Sequence, residues 1–348
     1  MKAVVLVGGE GTRLRPLTYG TPKPLLPIAN QPFLERQLTW MGRHGIDEVV
    51  LSVGYLPDAF TKHFADDRFG DVALRYAVEE EPLGTAGAVR YAAEVAGIDE
   101  RFVVCNGDVL TALDLGELIG FHDARGADAT SHLVPVPDPS AFGVVPTYDD
   151  GEVLEFVEKP PPNEAPTNWI NAGTYVLEPS VLDRIPSTRT VSIERETFPS
   201  LLEQRGHLYA LERDVYWLDI GTPHKYREAQ ADVVHGALGM PPVADAEELD
   251  PGIWVQPGAV IDASTRLVPP VLVGHDSAVG PGAYLAATSV GARCTVGYGA
   301  RVEGSVLLDG AAIGRAAEVI DCILDEDAVV SEAAKVRNEI VERSRSSD

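Results

Sequence analysis

Glycines and two cations near the start of the chain are suited to binding a polyanion. The glycines at positions 8, 9 and 11 follow a short apolar run and precede Arg13, and Lys23 lies ten residues further on. Glycine has no Cβ, so backbone N–H groups in such a turn can approach phosphate oxygens closely, while arginine and lysine supply positive charge. This combination predicts a site for a nucleoside triphosphate.

The loop differs from the two most common nucleotide-binding loops. Leu14 stands where a dinucleotide-binding fingerprint needs its third glycine, and the loop lacks the Gly-Lys-Ser/Thr of a P-loop. The pattern GGxGTRLxPLT, followed by PKPL, instead resembles the sugar-1-phosphate nucleotidyltransferases. The later segments EEEPLGTAG, FVEKP and NAG extend the resemblance over nearly the whole chain, and it is closest to the mannose-1-phosphate guanylyltransferases.

The resemblance implies that a sugar-1-phosphate oxygen attacks the α-phosphorus of the triphosphate and expels pyrophosphate. Such a transfer depends on positioning and on neutralisation of charge more than on a protein nucleophile. By resemblance, Arg13 stabilises the departing pyrophosphate, and Lys23 neutralises phosphate oxygens near the reacting phosphorus. The resemblance also implies nucleotide contacts for Leu6, Gly8, Gly9, Gly11, Thr12, Gly84 and Thr85.

Two aspartates are candidate metal ligands. Asp108 follows a buried strand in VCNGD, and a carboxylate at that edge is well placed for Mg²⁺, a hard ion that takes oxygen ligands. Its partner by resemblance is Asp219 in YWLDIGT. One carboxylate from each half of the domain would hold an ion between the nucleotide α-phosphate and the sugar phosphate, so Mg²⁺ is the expected cofactor.

A third group of residues is implied to bind the sugar phosphate. Lys159 in FVEKP would contact the phosphate oxygens, and Glu158 would accept hydrogen bonds from sugar hydroxyls. The amide of Asn171 both donates and accepts, which suits a vicinal diol. The full predicted set is Asn106, Gly143, Glu158, Lys159 and Asn171, with Glu194 as a looser suggestion.

The base preference rests on Glu79. In the family that this chain resembles, members that act on uridine or thymidine nucleotides usually carry glutamine at the aligned position. Guanine instead presents two adjacent donors, and a carboxylate can accept hydrogen bonds from both. Glu79 therefore favours GTP. The neighbouring Glu80 and Glu81 are equally well explained as an acidic surface run before the following helix.

The elements that must position these residues follow from the spacing of apolar positions. Up to about residue 234, short apolar strands, such as 49–53 and 102–105, alternate with helical stretches, such as 32–45 and 87–95. This alternation predicts an α/β fold, here a Rossmann-like nucleotidyltransferase domain with a mainly parallel sheet that binds ligands at the carboxyl ends of its strands. The helix that follows Gly84 would direct its N-terminus towards the same edge.

The C-terminal third has a different periodicity. Small residues often lie two positions before an inward apolar residue, and the spacing of six predicts a parallel β-helix with coils of about 18 residues, roughly four in all. Hexapeptide helices in known families are left-handed, so we expect that hand here. The inward residues are predicted to be Val255, Ile261, Leu267, Val273, Val279 and Leu285, then, after a one-residue deletion, Val290, Val296, Val302 and Leu308.

These patterns divide the chain into four parts. Residues 1–238 are predicted to form the catalytic domain, 239–252 a linker, and 253–330 the left-handed β-helix. Residues 331–348 are predicted to be a polar C-terminal tail, with a short helix followed by disorder.

Composition excludes several classes of function. The chain has 348 residues and a net charge of −25, which argues against nucleic acid as a general partner. No run of eighteen apolar residues exists, and Met1 leads almost directly into the first strand, so we expect neither a membrane span nor a signal peptide. Three widely spaced cysteines fit neither a disulfide framework nor a zinc site, so a cytoplasmic location is expected.

Alternatives to GTP and mannose-1-phosphate remain open at this point. The same chemistry would serve glucose-1-phosphate with dTTP or UTP, or a heptose or cyclitol phosphate with GTP. A non-catalytic sugar-nucleotide sensor with the same fold is disfavoured because Arg13, Lys23, Asp108 and Asp219 are all present. Acyl transfer by the β-helix is also disfavoured, since His275 is its only histidine; the exposed faces of a β-helix suit assembly into a homo-oligomer instead.

Overall fold

The computed structural model describes residues 1–161, 163–203 and 207–343, which form two compact units. The first, here the sheet unit, comprises Met1–Glu10, Pro22–Pro24 and Leu34–Trp217. The second, here the β-helix unit, comprises Gly11–Thr21, Leu25–Phe33 and the chain from Leu218 onward. The division therefore differs from the single boundary predicted at 239–252, because residues 218–238 and two N-terminal segments group with the C-terminal third.

The bounds of the regular elements agree with the predicted α/β alternation. The strands up to Asp219 are β1 (Lys2–Leu6), β2 (Pro27–Ile28), β3 (Gln31–Pro32), β4 (Glu48–Val53), β5 (Arg68–Phe69), β6 (Val72–Val78), β7 (Phe102–Asn106), β8 (Val109–Thr111), β9 (Ala129–Pro135), β10 (Gly143–Val144), β11 (Val157–Glu158), β12 (Trp169–Leu177), β13 (Leu208–Glu212) and β14 (Trp217–Asp219). The α-helices are α1 (Phe33–Arg43), α2 (Pro57–His63), α3 (Gly84–Ala96), α4 (Leu115–Arg125), α5 (Phe198–Glu203) and α6 (Pro223–Val234).

The topology of the main sheet places a ligand-binding crevice beside β1. The strand order is β11-β10-β12-β7-β1-β4-β6-β5, and β7, β1, β4 and β6 run parallel. From β1 the chain continues to β4 and β6 on one side and returns to β7 on the other. A crevice at such a switch point, outside the carboxyl ends of the strands, is where open α/β sheets bind ligands.

The core of the sheet unit lies between this sheet and its helices. Helix α3 packs on β1 and β4 and buries a stripe of small residues against them, including Ala86, Val89 and Ala93. Tyr175 on β12 is fully buried, and its ring meets that of Phe198 edge to face at 5.2 Å. The predicted Rossmann-like domain with a mainly parallel sheet is confirmed.

The C-terminal third consists of short parallel strands stacked in register, as predicted for a β-helix. One sheet pairs successive coils along one face in the order β17 (Val260–Ile261), β19 (Ala278–Val279), β21 (Thr295–Val296), β24 (Ala312–Ile313) and β27 (Val329–Val330). The other strands are β15 (Glu247–Asp250), β16 (Ile253–Val255), β18 (Arg266–Val273), β20 (Tyr284–Val290), β22 (Arg301–Glu303), β23 (Val306–Leu307), β25 (Glu318–Ile320), β26 (Ile323–Leu324), β28 (Lys335–Arg337) and β29 (Ile340–Val341). Of these, β15 alone pairs antiparallel, with β16.

The length of the coils corrects one predicted core residue. Val255 pairs with Val273, eighteen residues on, but Val273 pairs with Val290, Val290 with Leu307, and Leu307 with Leu324, each seventeen residues on. Each later coil therefore has seventeen residues instead of eighteen, so the one-residue deletion seen after Leu285 is repeated in every coil that follows. The predicted inward position of Leu308 is wrong, because Leu307 occupies the core.

Most small residues of the repeat are buried, and the stacking of parallel strands continues to the end of the β-helix. Cys294 and Cys322 are buried beside the aliphatic core at such positions, and Cys105 is buried in β7. The short helix predicted after Ala333 is wrong: β28 and β29 continue the stacked faces to Val341, which gives five coils instead of four. The end of the predicted tail, 344–348, lies outside the described residues. In the described ranges, no helix has the length and apolar character to cross a membrane.

Candidate active site

The ends of β1 and β7 meet so closely that only glycine fits between them. Gly107 donates its N–H to the carbonyl of Leu6 at 2.9 Å, and a Cβ on Gly107 would lie 2.5 Å from that oxygen. The contact aligns Asn106 with Leu6 and turns the chain outward at Asp108. The predicted metal ligand Asp108 therefore stands at the mouth of the switch-point crevice.

A buried glutamine on α1 holds this turn in place. Gln37 is 4% exposed, and its Nε2 donates to the carbonyl oxygens of Asn106 (2.9 Å) and Val109 (3.1 Å), on either side of Asp108. We did not predict a role for Gln37 from the sequence. The available signal was a polar residue among the apolar positions of a core-facing helix.

Lys23 and Asp108 form an ion pair at this edge. The Lys23 ammonium lies 2.8 Å from Asp108 Oδ2, with 11% of the lysine side chain and 40% of the aspartate side chain exposed. These two of the three predicted catalytic residues are 85 positions apart in sequence and in direct contact in the fold. The pair places a cation beside a partly exposed carboxylate, and groups of these two kinds can bind phosphate oxygens and a divalent cation, respectively.

Glu79 lies at the same edge, at the end of β6. Its Oε1 accepts from the Ser52 hydroxyl at 2.9 Å, and its Oε2 accepts from the N–H of Leu83 at 3.0 Å. A Cβ on Gly8 would lie 3.6 Å from Glu79 Oε1 and 3.1 Å from the amide of Gly54. The carboxylate is thus held in a fixed position beside the glycine loop.

Gly84 and Thr85 serve local packing in this structure. Gly84 has a φ of 74°, and a Cβ there would lie 2.5 Å from the carbonyl oxygen of Val191. The Thr85 hydroxyl donates to Glu194 Oε2 at 3.1 Å and accepts from the N–H of Ile193 at 2.8 Å. These contacts fasten the start of α3 to the segment around Glu194, and any contact with nucleotide stays a prediction.

A second cleft in the sheet unit contains most of the predicted sugar-side residues. It has a volume of about 350 Å³ and is bounded on one side by the pairing of Gly143 with Glu158 between β10 and β11. A Cβ on Gly143 would lie 3.2 Å from Glu158 Oε2, so a side chain there would crowd the carboxylate. The lining residues are Ala141, Phe142, Gly143, Glu158, Lys159, Ser192, Glu194 and Arg195.

Arg195 is a cation of this cleft that we did not predict. Its Nη2 lies 2.9 Å from Glu158 Oε1, while the ammonium of Lys159 lies 3.8 Å from the same oxygen. The hydrogen bond to Glu158 raises the pKa of the Arg195 guanidinium. Its sequence signal was its position beside Glu194, in a chain with only 28 lysines and arginines.

Asn171 and Asn106 belong to buried and half-buried polar contacts near these clefts. Asn171 Oδ1 accepts from the Ser131 hydroxyl at 3.0 Å, and its Nδ2 donates to the Tyr175 hydroxyl at 2.7 Å. Burial raises the pKa of Tyr175 well above its usual value, so the phenol stays protonated. Gly173, with a φ of 73°, leaves room for Asn106, since a Cβ would lie 2.5 Å from Asn106 Nδ2.

The β-helix unit holds the predicted residues Gly11, Thr12, Arg13 and Asp219, whereas Gly9 belongs to the sheet unit. Gly11 has a left-handed φ of 61° and its carbonyl accepts from the Thr18 hydroxyl at 3.0 Å, which bends the chain into the short helical turn Thr12–Leu14. The exposed Arg13 of that turn lies over Gly221, where a Cβ would be 2.8 Å from Arg13 Nη2. The predicted metal ligand Asp219 precedes Gly221 by two residues, at the end of β14.

The predicted metal site is limited to two carboxylates of the protein. Within the described ranges, no three His, Cys, Asp or Glu side chains cluster as a metal site. The carboxylates of Asp108 and Asp219 are hard oxygen donors, and that of Asp108 is partly exposed at a strand end. Asp108 belongs to the sheet unit and Asp219 to the β-helix unit, and their use in one metal site stays a prediction.

Comparisons with known proteins show the family to which the chain belongs. A family model described as nucleotidyl transferase matches residues 2–236, and one described as the GMPPB C-terminal domain matches residues 267–344. The mannose-1-phosphate guanylyltransferase of Mycobacterium tuberculosis is 43% identical over 288 residues, 81% of this chain and 77% of the relative. Mannose-1-phosphate guanylyltransferase 1 of Arabidopsis thaliana is 37% identical, over 85% of this chain and 81% of the relative.

A solved structure also resembles this chain. HddC from Yersinia pseudotuberculosis superposes with a TM-score of 0.57 at 30% sequence identity, over 66% of this chain and 97% of HddC. HddC has also been solved in complex with GMP-PN, and that structure matches with the same TM-score.

Proposed function

Because this chain belongs to the nucleotidyl transferase family, we propose that it transfers GMP from GTP to mannose-1-phosphate, giving GDP-mannose and pyrophosphate. One observation carries the choice of substrates: relatives up to 43% identical over four fifths of the chain are named mannose-1-phosphate guanylyltransferases. The match of the C-terminal third to the GMPPB C-terminal domain is consistent with the same assignment.

The geometry supports a direct displacement at the α-phosphorus. A phosphate oxygen of mannose-1-phosphate forms the new bond to the α-phosphorus, and the bond to the bridging oxygen breaks as pyrophosphate leaves with the electron pair. The attacking phosphate is already ionised at neutral pH, so no general base is required. Lys23 neutralises phosphate oxygens at the crevice, and Arg13 stabilises the charge on pyrophosphate.

Asp108 and Asp219 are the residues that would hold a divalent cation, proposed to be Mg²⁺. When bound, the ion supplies positive charge for the phosphate oxygens of both substrates. The partly exposed Asp108 carboxylate at the end of β7 fits this role. The Lys23 ammonium balances the negative charge of this carboxylate, and its hydrogen bond to Oδ2 orients the carboxylate within the crevice.

Glu79 supports the choice of guanine over a pyrimidine. Each carboxylate oxygen has two lone-pair sites, so the hydrogen bonds from Ser52 and Leu83 leave acceptor capacity for N1–H and the N2 amino group of guanine. The same two bonds fix the orientation of the carboxylate. Structural likeness to HddC, which has been solved with GMP-PN, is consistent with a guanine nucleotide.

We assign the mannose phosphate to the cleft between Gly143 and Arg195. Lys159 and Arg195 would contact phosphate oxygens, and Glu158 would accept from sugar hydroxyls once substrate competes for its present partners. Asn171 would act from its buried network, where three protein partners already orient its amide. Assembly into a homo-oligomer and a cytoplasmic location stay predictions from the sequence.

The test is pyrophosphate release in the presence of Mg²⁺, with GTP, dTTP, UTP, ATP and CTP each combined with mannose-1-phosphate and glucose-1-phosphate. We expect turnover to be fastest with GTP and mannose-1-phosphate. Turnover with dTTP or UTP in preference to GTP would keep the chemistry and overturn the base assignment. Absence of turnover in all ten mixtures, combined with calorimetric binding of GDP-mannose, would favour a sensor over an enzyme.

A further inference from the structure

A strained hairpin follows the catalytic lysine. Strands β2 and β3 pair antiparallel across a two-residue turn, Ala29-Asn30, in which both residues have left-handed φ values of 45° and 60°. The turn fits the right-handed twist of the strands, but alanine rarely adopts such a φ because its Cβ clashes with the backbone. A turn of this kind persists only where surrounding contacts hold it.

Helix α6 supplies one set of these contacts. Gln230 is 3% exposed; its Oε1 accepts from the N–H of Ala29 at 2.6 Å, and its Nε2 donates to the carbonyl of Pro27 at 2.7 Å. The buried Tyr226 hydroxyl donates to the same Pro27 carbonyl at 2.6 Å. The backbone on the first side of the turn is therefore fixed by side chains from a single helix.

The β-helix supplies the second set. Asn30 Nδ2 donates to Gln256 Oε1 at 2.9 Å and to the carbonyl of Val290 at 2.9 Å. Gln256 follows β16, and Val290 is the last residue of β20. The Asn30 amide therefore joins the Gln256 side chain in one coil to the Val290 backbone in another. Gln256 is 5% exposed, so its bond to Asn30 is largely shielded from water.

Gln256 is itself oriented by a second pair. Its Nε2 donates to Asp245 Oδ1 at 2.8 Å, and Asp245 Oδ2 lies 2.6 Å from His275 Nε2. Asp245 belongs to the segment predicted as a linker, and His275 belongs to the β-helix. The four residues form a continuous chain of hydrogen bonds from the surface of the β-helix to the hairpin turn.

We propose that Asn30 and Gln256 are positioning residues for nucleotidyl transfer, through which the β-helix fixes the backbone that carries Lys23. Only Pro24, Leu25 and Leu26 separate Lys23 from the hairpin, and the short helical turn Lys23–Leu25 takes up most of that length. A shift of the hairpin is therefore transmitted along the chain to the lysine. Displacement of a catalytic group by about 1 Å can cost up to about 100-fold in rate.

The test compares Asn30→Gly and Gln256→Met with the wild-type full chain. Glycine accepts the left-handed φ and removes only the amide, while methionine keeps the length of the glutamine side chain without its hydrogen-bonding groups. Since the inference rests on the proposed function, kcat and KM are measured with GTP and mannose-1-phosphate. We expect kcat to fall on the order of tenfold, because the lysine is misplaced, and KM to change by less than about twofold.

Hydrogen exchange provides a readout that does not depend on activity. Peptides covering 22–33 should lose protection in both variants, and the double variant should be no worse than either single one, because the two residues act as a unit. The matched control is Asp321→Asn, which weakens the ion pair of Arg227 with Asp321 in the same unit. Asparagine tolerates the φ of 56° at this position, so kcat should keep its wild-type value.

Three results would overturn the positioning role. The first is a wild-type kcat in Asn30→Gly, and the second is unchanged exchange of 22–33 in both variants. The third is an equal loss of kcat in Asp321→Asn, which would show a general effect of weakening this unit. If the wild type prefers another nucleotide and sugar phosphate, the proposed substrates fail and the same variants are compared on that pair; a wild type inactive with every pair would overturn both proposals.

Discussion

The edge of the main sheet and the interior of the β-helix differ in the polarity and the exposure of their side chains. At the sheet edge, charged side chains face one another across short distances, as Lys23 and Asp108 do at 2.8 Å, and stay partly exposed. Inside the β-helix, aliphatic side chains such as Leu285 and Val302 stack directly from coil to coil with no exposed surface. One region keeps polar groups partly exposed, whereas the other removes apolar groups from water.

This difference predicts whether a substitution changes mainly the activity or mainly the stability. A change at the sheet edge removes charge from a crevice but little buried area, so its expected effect is kinetic. A change inside the β-helix leaves a cavity in a close-packed stack, so its expected effect is on the free energy of unfolding. The predictions at Asp108, Leu285 and Glu79 measure both activity and stability, and a variant that changes mainly the other quantity would contradict this contrast.

Asp108→Asn is expected to have the largest effect. The substitution keeps size and removes the negative charge proposed to hold the divalent cation, so kcat should fall on the order of 10²–10³-fold with little change in Tm. The measurement is pyrophosphate release alongside thermal unfolding. Asp114→Asn is the control, because asparagine also caps α4 and that site is exposed. A near-normal kcat in Asp108→Asn would remove Asp108 from the metal site.

Leu285→Ala should act on stability instead. Leu285 is fully buried in the β-helix core, so its truncation should lower the free energy of unfolding by about 3–4 kcal/mol through lost burial and a residual cavity. The activity per folded molecule should change little. Chemical denaturation gives the first quantity, and Val260→Ala, at a side chain that is 67% exposed, is the matched control. Equal destabilisation by both variants would contradict the assigned core.

Acid should destabilise the sheet unit through a buried histidine. Burial on β9 lowers the pKa of His132 to about 4, whereas an unfolded histidine has a pKa near 6.5. Between these two pKa values, His132 is protonated in the unfolded chain and neutral in the folded chain. The unfolding free energy therefore falls by up to about 3 kcal/mol as the pH drops from 6.5 to 4. The unfolding free energy, taken from denaturation curves at several pH values in this range, should depend less on pH in His132→Leu than in the wild type. Parallel curves for the two proteins would show that other groups control acid sensitivity.

Glu79→Gln should give the smallest of these changes. The glutamine amide can still bond to neighbours but no longer accepts from both guanine donors, so the ratio of kcat/KM for GTP over UTP should fall on the order of tenfold. Tm should shift little because Glu79 is only half-buried. The exposed neighbour Glu80→Gln controls for the loss of a charge. An unchanged ratio would mean that backbone groups read the base.

The sequence predicted the arrangement of the sheet edge better than the details of each contact. The end of a buried strand placed Asp108 at the ligand-binding edge, because parallel strands present their carboxyl ends at one edge, and the family resemblance placed Lys23 near the reacting phosphorus. The structure brings the two side chains into contact. Gln37 and Arg195 were missed, since the local signal of each, a polar residue on a core-facing helix and an arginine beside Glu194, does not say which atoms the side chain will contact.

The β-helix shows a different limit. Periodicity predicted its fold and most of its core, yet Leu308 was placed inward in error because the seventeen-residue coil becomes clear only when strands pair. Beyond Val330 the polar sequence predicted a helix, whereas β28 and β29 pair with the preceding coil. Backbone pairing with a formed neighbour supplies hydrogen bonds that no local pattern reveals.

The sequence by itself determined the α/β and β-helical elements, the family resemblance and the identity of the charged residues, because these depend on local spacing and residue type. Only the tertiary structure decided that the segments around Gly11 and Asn30 group with the C-terminal third. It alone showed that Gln256 meets Asn30, 226 positions away in sequence. Such contacts are absent from any local pattern, since they form only when the packing of several elements fixes the positions of donor and acceptor together.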